Sequence, residues 1–504
     1  MLENFLAGAA ALMNPVILID MFVGVFVGIV AGAIPGFTIT MAIILTLPFT
    51  FTMEPIQGIA TMMGVFVGGL SGGLITAALL GIPGTPSSVA TTFDAFPMAK
   101  KGEPGKALGI GIWASFFGSI LSAFILIFAA PQLAGFAVKM GPWEYFSLIV
   151  FALTIIASIS ETSLVKGIIA GLLGLAIATV GTDPISGVPR FTFGLYDLGA
   201  GLPFLTVLIG IFAISQLFSE LEKKEELKAG GEIISGKFKF KPIESMWIVL
   251  KQPVNLIRST IIGAVIGAIP GAGSSISNML AYDQAKKASK YPEKFGTGIA
   301  DGTVASEAGN NATAGGSLIP MIAFGIPGDA VTAVMIAALM VHGINPGPMF
   351  ILEQPVLVNS IFAGFMIAAV MMLLIQFLGV RIFLKLTNIP KYILIPVVLA
   401  FCVLGSFALH NRLFDVYGLV ALGLLGYIMK KLNFPLAPVI LGVILGPIAE
   451  RNLRRALMAS PDWTLFFTRP ISLVFLLIAA ASIIYALWQH KKTKQRMAEA
   501  SAEI

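Results

Sequence analysis

The sequence predicts an all-α polytopic membrane protein of about 10–12 transmembrane helices, some of them broken or re-entrant. Of its 504 residues, 57% are hydrophobic and only 12% are charged, too few for a water-soluble protein of this size. A helix-breaking phrase, Gly-Ala-Ile-Pro-Gly, occurs at 32–36 and again at 267–271. The Lys and Arg residues collect in short clusters between apolar runs, as they do in loops that set membrane orientation.

Charge and cysteine content exclude several classes of protein. The net charge of +6 lies in short loop clusters and gives no indication of nucleic-acid binding. The single cysteine, Cys402, excludes an internal disulfide and a multi-cysteine metal site. The N-terminus carries Glu3 and no basic region, so we expect no cleaved signal peptide. We predict no metal site and no organic cofactor.

The first half of the chain contains a long apolar run after Pro15. Its glycines at 24, 28, 32 and 36 recur on one helical face, a spacing that lets a second helix approach closely. A second apolar stretch ends at another break, Gly81-Ile82-Pro83-Gly84. Further apolar segments are predicted near 107–130, 143–159, 163–181 and 200–220.

The longest charged stretch, residues 221–241, predicts a cytoplasmic connector between two halves. We therefore expect a first membrane repeat, a connector, a second membrane repeat and a C-terminal region. The C-terminal region holds an extra transmembrane helix and a basic cytoplasmic tail. These four regions span 1–220, 221–242, 243–455 and 456–504.

The second half repeats features of the first. Its breaks at 267–271 and 325–328 correspond to the two breaks of the first half. The proline and glycine of the segment 199–210 recur with equal spacing in 432–442. These matches predict a duplicated unit.

Loop charges indicate how the two repeats lie in the membrane. In the first repeat the loop 52–60 has no Lys or Arg, whereas 100–106 is basic. In the second repeat the basic loop is 286–294, and 341–355 has none. Because cytoplasmic loops accumulate Lys and Arg, this exchange predicts two inverted-topology repeats. The arginines within 451–455 disagree, since they fall on the outer side of that arrangement.

The breaks are candidate binding sites, because bare backbone at membrane depth is tolerated only where it is buried in protein or lines a cavity. Each half-helix that starts after a break has N-terminal N–H groups with partial positive charge, which suits a carboxylate. In the alternative reading, the hydroxyls there only cap broken helices. The predicted substrate-binding residues are Gly84, Thr85, Pro86, Ser87, Ser88, Gly271, Gly273, Ser274 and Ser275.

Oxygen ligands for a coupling cation, Na⁺ or H⁺, are predicted at three places. Asn310 and Asn311 lie in a stretch too polar for a lipid-exposed helix. Asp329 directly follows a break, and intramembrane acids are functional by default. Backbone at the first break, at Gly36 and Thr38, would complete the shell of a sodium ion.

Two further acids precede these polar stretches. Asp94 is expected to be an ordinary interfacial acid at the cytoplasmic boundary. For Glu307, a boundary position and an intramembrane role both stay open.

Two other classes of function match parts of the pattern. Gly69-Leu70-Ser71-Gly72 matches the string around the serine of rhomboid-type intramembrane proteases. Such a serine needs a histidine base within reach, whereas His342, His410 and His490 fall in predicted loops or in the tail, so we expect no enzyme. A passive anion channel also stays open, because broken half-helices build selectivity filters as well.

Several motifs follow one another in the chain, at 32–36, 81–88, 92–102, 267–271, 271–275, Tyr282-Asp283 and 307–311. With these motifs the sequence resembles the large membrane subunit of the tripartite tricarboxylate transporters over nearly the whole chain up to about residue 455. Members of that family often have glycine where this chain has Ala95, a small difference.

The resemblance implies a cation-coupled secondary importer in the inner membrane, driven by a sodium or proton gradient. It also implies two partners, a small membrane subunit of about four spans and a periplasmic solute-binding protein. The expected substrates are small organic acids, tricarboxylates or dicarboxylates. By analogy with other two-repeat carboxylate transporters, we expect a scaffold region and an elevator-like transport region that holds the breaks. A homo-oligomer is also possible.

Overall fold

The computed structural model describes residues 2–159, 163–183, 185–222, 240–386 and 391–502, and most of them are helical. The helices are α1 (Leu2–Leu12), α2 (Pro15–Ala33), α3 (Ile39–Thr50), α4 (Pro55–Leu80), α5 (Val89–Lys100), α6 (Pro104–Ala137), α7 (Pro142–Ile159), α8 (Leu164–Ala178), α9 (Phe204–Leu208), α10 (Ser215–Glu222), α11 (Pro242–Leu250), α12 (Pro253–Ala268), α13 (Gly273–Lys287), α14 (Ala300–Phe324), α15 (Ala330–Val341), α16 (Pro348–Glu353), α17 (Pro355–Leu386), α18 (Lys391–His410), α19 (Leu413–Lys431), α20 (Ala437–Ala459), α21 (Leu465–Thr468) and α22 (Pro470–Ala502). Short 3₁₀ turns lie at Pro86–Ser88, Tyr196–Ala200 and Pro292–Lys294, and a π-helical segment, Ile209–Ile214, joins α9 to α10.

The prediction of an all-α polytopic membrane protein is confirmed. Shorter apolar helices, among them α3, α12 and α15, are the pieces left on one side of a break. The described helices long and apolar enough to cross a membrane are the seven segments Pro15–Ala33, Pro55–Leu80, Pro104–Ala137, Phe204–Glu222, Pro355–Val380, Leu413–Lys431 and Pro470–Trp488.

One small sheet departs from the helical pattern. Strand β1 (Gly181–Thr182) pairs antiparallel with β2 (Pro189–Arg190). The predicted apolar segment near 163–181 therefore ends earlier, at Ala178. The core of the predicted connector, residues 223–239, lies outside the described residues.

The described chain divides into two compact units. The first comprises Met1–Gly135 and Ser219–Leu409, and the second comprises Phe136–Phe218 and His410–Ile504. The first unit therefore contains the leading part of each half of the sequence, and the second unit contains the trailing part of each half. All of the breaks lie in the first unit.

In the first unit, glycines let two pairs of helices approach closely. A side-chain carbon at Gly24, Gly28 or Gly32 of α2 would lie under 3.0 Å from a carbonyl oxygen of α4. The same holds for Gly263 and Gly267 of α12 against carbonyl oxygens of α14. The glycine spacing of the sequence thus corresponds to backbone contact between helices.

Helices α4 and α14 form the centre of the first unit. Every residue of α4 from Gly58 to Leu79 is buried, and so is every residue of α14 from Gly302 to Ala323. Both helices end at a glycine in the left-handed conformation, with φ of 67° at Gly81 and 71° at Gly325. Glycine adopts that conformation without steric cost, so both breaks begin in the same way.

In the second unit, α7 packs against α8, α20 and α22. Charged side chains connect the hairpin formed by β1 and β2 to α20. Arg454 contacts Asp183 at 2.8 Å, and Arg190 contacts Glu450 at 2.7 Å. The Asp183 pKa lies below its usual range, because the backbone N–H of Ile185, the Ser186 hydroxyl and Arg454 stabilise the carboxylate.

Candidate functional site

The breaks of each half meet in pairs inside the first unit. The Gly271 N–H donates to the Gly328 carbonyl at 2.8 Å. A side-chain carbon at Gly84 would lie under 3.0 Å from the Gly32 carbonyl, so these two backbones are in contact. The structure therefore brings together the two breaks of each half, as close approach of unwound backbone requires.

The stretch after Gly84 forms a tight capped turn. Thr85, Ser87 and Ser88 are buried. The Ser88 hydroxyl donates to the Thr85 carbonyl at 2.9 Å and accepts from the Thr85 N–H at 3.4 Å. The hydroxyls of Thr85 and Ser87 hydrogen-bond to each other at 2.9 Å. Capping therefore occupies the Ser88 hydroxyl, as in the alternative reading of this stretch. Pro86 of this turn is exposed.

The second polar stretch begins a helix with no side-chain cap. Gly271 and Gly273 have φ of 80° and 68°, and α13 begins at Gly273. Ser274 and Ser275 lie in its first turn and are partly buried. The N-cap residue, Ala272, forms no side-chain hydrogen bond to this N-terminus. Its first N–H groups are the kind that bind an anion.

Helix α13, which begins in the second polar stretch, packs against the turn Pro86–Ser88 of the first. The Asn278 carboxamide fixes this contact. Its Oδ1 accepts from the Ala90 N–H at 2.8 Å, and its Nδ2 donates to the Ser306 carbonyl at 3.0 Å. One buried side chain thus joins α5, α13 and α14. No sequence signal singles out Asn278, because it lies inside α13 rather than at a break.

A buried carboxyl lies beside this junction. Glu307 of α14 is completely buried. Its Oε1 accepts from the Thr91 hydroxyl at 2.6 Å, and its Oε2 accepts from the Ser115 hydroxyl at 2.9 Å. The Asn311 Nδ2 lies 3.3 Å from the same Oε2. Glu307 therefore lies in the interior of the protein, and its depth in the membrane stays a prediction.

Asn310 and Asn311 each form hydrogen bonds through the Nδ2 end of the carboxamide only. The Asn310 Nδ2 donates to the Leu70 carbonyl of α4 at 2.9 Å, and the Asn311 Nδ2 donates to the Glu307 carbonyl at 3.1 Å. Both Oδ1 atoms are buried and accept no hydrogen bond from a described residue. Buried acceptors are normally satisfied. Two carboxamide oxygens next to a carboxyl are therefore suitable cation ligands.

Of the other predicted ion ligands, Asp329 and Thr38 cap helices. Asp329 caps α15, and its Oδ1 accepts from the Thr332 N–H at 2.8 Å. Thr38 caps α3 and accepts from the Met41 N–H at 3.2 Å. A side-chain carbon at Gly36 would lie 3.0 Å from Oε1 of Glu220, so a buried carboxylate lies beside the first break. The sequence placed Glu220 at the edge of the charged connector and gave no signal for this contact.

Asp94, which we expected to be an ordinary interfacial acid, lies inside the protein rather than at its surface. Its side chain is fully buried. Oδ1 accepts from the backbone N–H groups of Gly296, Gly298 and Ile299 at 3.0, 2.7 and 3.0 Å. Oδ2 accepts from the Tyr282 hydroxyl at 2.9 Å. Asp94 therefore binds the loop between α13 and α14 to α5, because only an acceptor at this position satisfies those N–H groups.

The residues of the enzyme alternative are not assembled. Ser71 is buried in α4, and its Oγ has no hydrogen-bond partner among the described residues. No histidine in the described part of the chain hydrogen-bonds to it, so the base that a serine nucleophile needs does not contact it. The described residues also contain no group of three or more His, Cys, Asp or Glu side chains placed to hold a metal.

Comparison with known proteins agrees with this architecture. The chain matches the model of the tripartite tricarboxylate transporter TctA family over residues 18–441. An uncharacterized 52.8 kDa protein from the ttuC′ 3′ region of TAR-I in Agrobacterium vitis is 34% identical over 502 residues, 98% of each chain. An uncharacterized protein from the ttuC′ 3′ region of TAR-II in the same organism is 34% identical over 234 residues, 46% of this chain and 97% of that protein. No solved structure matches the chain.

Proposed function

The chain belongs to the tripartite tricarboxylate transporter TctA family, and from that membership we propose that it imports small organic tri- or dicarboxylates by cation-coupled secondary active transport. It is a multi-pass membrane protein and a component of a tripartite transporter. The family is the large subunit of such systems, which implies a small membrane subunit and a periplasmic solute-binding protein as partners. We place it in the inner membrane, where a periplasmic partner can deliver substrate.

The observation that carries the substrate proposal is the junction of α13 with the turn Pro86–Ser88. The uncapped N-terminus of α13 supplies backbone N–H groups and the hydroxyls of Ser274 and Ser275. A substrate carboxylate bound there needs no buried Lys or Arg, because a helix N-terminus compensates part of its charge. In this arrangement the backbone at Gly84 and Gly271 approaches the substrate closely. Ser88 caps the turn and stabilises its conformation.

The coupling proposal rests on Glu307, Asn310 and Asn311. Their carboxyl and carboxamide oxygens lie on consecutive turns of one buried helix, next to Thr91 of the substrate junction. Oxygen ligands of this kind suit Na⁺, and a buried carboxyl also suits H⁺. We favour this group over Asp329, Thr38 and Gly36, because Asp329 and Thr38 are already used as helix caps.

We further propose that the two units correspond to the transport and scaffold regions of an elevator. The first unit holds all of the breaks and takes one segment from each half of the sequence. This composition supports two repeats that each contribute one part to a moving region and another part to a scaffold.

Uptake by the complete system tests the function. Proteoliposomes that contain both membrane subunits receive the binding protein and a labelled tri- or dicarboxylate under an imposed sodium or proton gradient. We expect accumulation above the external concentration under one of these gradients. Gradient-independent equilibration would instead indicate a passive channel.

A variant pair tests the substrate site. Ser275→Leu at the start of α13 should abolish uptake, because a bulky apolar side chain replaces a donor. Thr297→Leu, an exposed position in the loop before α14, should leave uptake unchanged. Wild-type uptake by Ser275→Leu would overturn the substrate assignment.

A sodium titration tests the ion site. Asn310→Ala should raise the sodium concentration for half-maximal uptake about tenfold if one ligand is lost. With Glu307→Gln, uptake should stop under a proton gradient if this carboxyl carries the proton. Unaltered ion dependence in both variants would exclude this group of residues.

A further inference from the structure

A cavity lies in the first unit, away from the breaks. It has a volume of about 340 Å³ and lies where α12 begins and α13 ends. Its described lining contains three basic side chains, those of Lys251, Arg258 and Lys290, and one acidic side chain, that of Asp301. The cavity therefore favours an anion.

The Arg258 guanidinium is oriented by its neighbours and retains a donor. Its Nη2 donates to Oδ1 of Asn255 at 2.9 Å, and the Asn255 Nδ2 donates to the Asp301 carbonyl at 3.0 Å. The Arg258 Nε is buried and has no hydrogen-bond partner among the described residues. An oriented guanidinium with an unused buried N–H matches the oxygens of a phosphoryl group.

The start of α12 adds to the positive potential. Pro253, Val254 and Asn255, the first residues of this 16-residue helix, line the cavity. The N-cap residue, Gln252, forms no side-chain hydrogen bond to the first N–H groups of the helix. Its first N–H groups therefore favour an anion in the same space.

Beyond the cavity, α12 presents an apolar stripe. Val254, Ile257, Ile261 and Val265 have exposed fractions of 74%, 50%, 50% and 56% and share one face of the helix. Val254 belongs to both the stripe and the cavity lining. In a membrane protein such a stripe contacts acyl chains, so a lipid can place its headgroup in the cavity and its tails along α12.

We propose that this cavity binds a phosphoryl group, that of an anionic phospholipid whose tails lie along the apolar stripe of α12. Arg258 holds the phosphate oxygens, with Lys251 and Lys290 at the rim. Because Asn255 connects Arg258 to the start of α14, the bound lipid stabilises the end of the helix that carries Glu307.

Native mass spectrometry of the purified full chain tests the proposal with phosphatidylglycerol and phosphatidylcholine as probes. We expect wild type to retain phosphatidylglycerol in preference. Arg258→Gln should weaken its binding about tenfold. Arg258→Lys, which keeps the charge but not the planar fork, should give an intermediate value. Lys286→Gln removes the same charge from an exposed position of α13 outside the cavity and should bind as wild type does.

A competition arm identifies the source of the phosphoryl group. Inorganic phosphate should fail to displace phosphatidylglycerol if the apolar stripe contributes to binding, and it should bind by itself if free phosphate is the ligand. Equal retention of both lipids, together with no binding of inorganic phosphate, would overturn the proposal. Equal losses in Arg258→Gln and Lys286→Gln would overturn it as well, because binding would then follow net charge alone.

Discussion

At the scale of single residues, the first unit is organised by buried acids that accept several hydrogen bonds. Asp94 accepts four and Glu307 accepts at least two. A buried carboxylate is costly unless such donors surround it. The donors come from different elements, so each acid holds separate parts of the chain in a fixed arrangement.

Removing one of these acids should loosen the chain locally. We expect Asp94→Ala to lower the free energy of unfolding by about 3 kcal/mol, because three backbone N–H groups and the Tyr282 hydroxyl lose their acceptor. Thermal unfolding in detergent measures the change. Asp283→Asn removes a half-exposed acid that pairs with Lys287, and it should change the free energy by less than about 1 kcal/mol. If both variants lost a similar amount of free energy of unfolding, Asp94 would stabilise the fold no more than Asp283 does.

The burial of these acids could not be predicted from the sequence. An acid next to Lys100 and Lys101 has the same local pattern whether it lies at the membrane boundary or under a loop. Asp94 is buried because the loop at 296–299 folds over it from some 200 residues away in the chain. The polar character of the stretch that contains Asn310 and Asn311 could be predicted from the sequence, because it is a property of the stretch itself.

At the scale of secondary-structure elements, the close contact of α2 with α4 depends on the absence of side chains. We expect Gly28→Ala to destabilise the protein by about 1–3 kcal/mol, because the added carbon meets the Val65 carbonyl in well-packed surroundings. Gly135→Ala in α6 has open space around the added carbon and should be neutral. Thermal unfolding of both variants gives the comparison, and equal stability would mean that α2 and α4 can separate freely.

The connection between the hairpin and α20 is an element-scale contact made by charges. Arg454→Gln should increase cleavage of the segment 185–196 by added protease, because Asp183 then loses its ion pair with α20. Arg455→Gln, an exposed neighbour, serves as the control. Equal cleavage of the two variants would show that the Asp183–Arg454 pair does not protect the hairpin, and would leave the Arg190–Glu450 pair and the backbone as its support.

The same contact has a defined pH dependence. The pKa of Asp183 is lower in the folded chain than its ordinary value. Its stabilising effect is therefore complete above that ordinary value and is lost as pH falls through the folded pKa. We expect the wild-type hairpin to stay resistant to protease down to about pH 4.

Element positions were largely predictable, because the breaks are local chemistry. Proline and glycine end α2, α4, α12 and α14 where the sequence indicated. The partners of the breaks were not predictable. The junction of α13 with the turn Pro86–Ser88 depends on tertiary packing that no local pattern specifies.

At the scale of the whole molecule, the two halves share geometry that their sequences only suggest. The turn after α4 and the turn after α14 both carry a capping box, Thr85 with Ser88 and Asp329 with Thr332. The residue types differ, but both boxes lie four residues after the left-handed glycine that ends the helix. Equivalent positions thus keep their structural role while their chemistry diverges. This is why Asp329 caps a helix in the second half as Thr85 does in the first.

The predicted inverted orientation of the two halves can be tested by labelling. Single cysteines are introduced at exposed positions, Thr52→Cys and Lys101→Cys in the first half and Lys286→Cys and Asn345→Cys in the second. Native Cys402 is buried and does not compete for the reagent. If the repeats are inverted, an impermeant maleimide added outside the inner membrane should label positions 52 and 345 only.

The labelling result separates the two possible arrangements, because equivalent loops are compared directly. Thr52 and Lys286 lie in corresponding loops between the breaks, so labelling of both from the same side would mean parallel repeats and would contradict the inverted arrangement. Arg451→Cys decides the one region where loop charge disagrees. The inverted arrangement requires that it be labelled from outside, although arginines are usually retained on the cytoplasmic side. If position 451 is protected from the reagent, the end of α20 lies on the cytoplasmic side. The second unit would then cross the membrane one time fewer or one time more than the inverted arrangement requires.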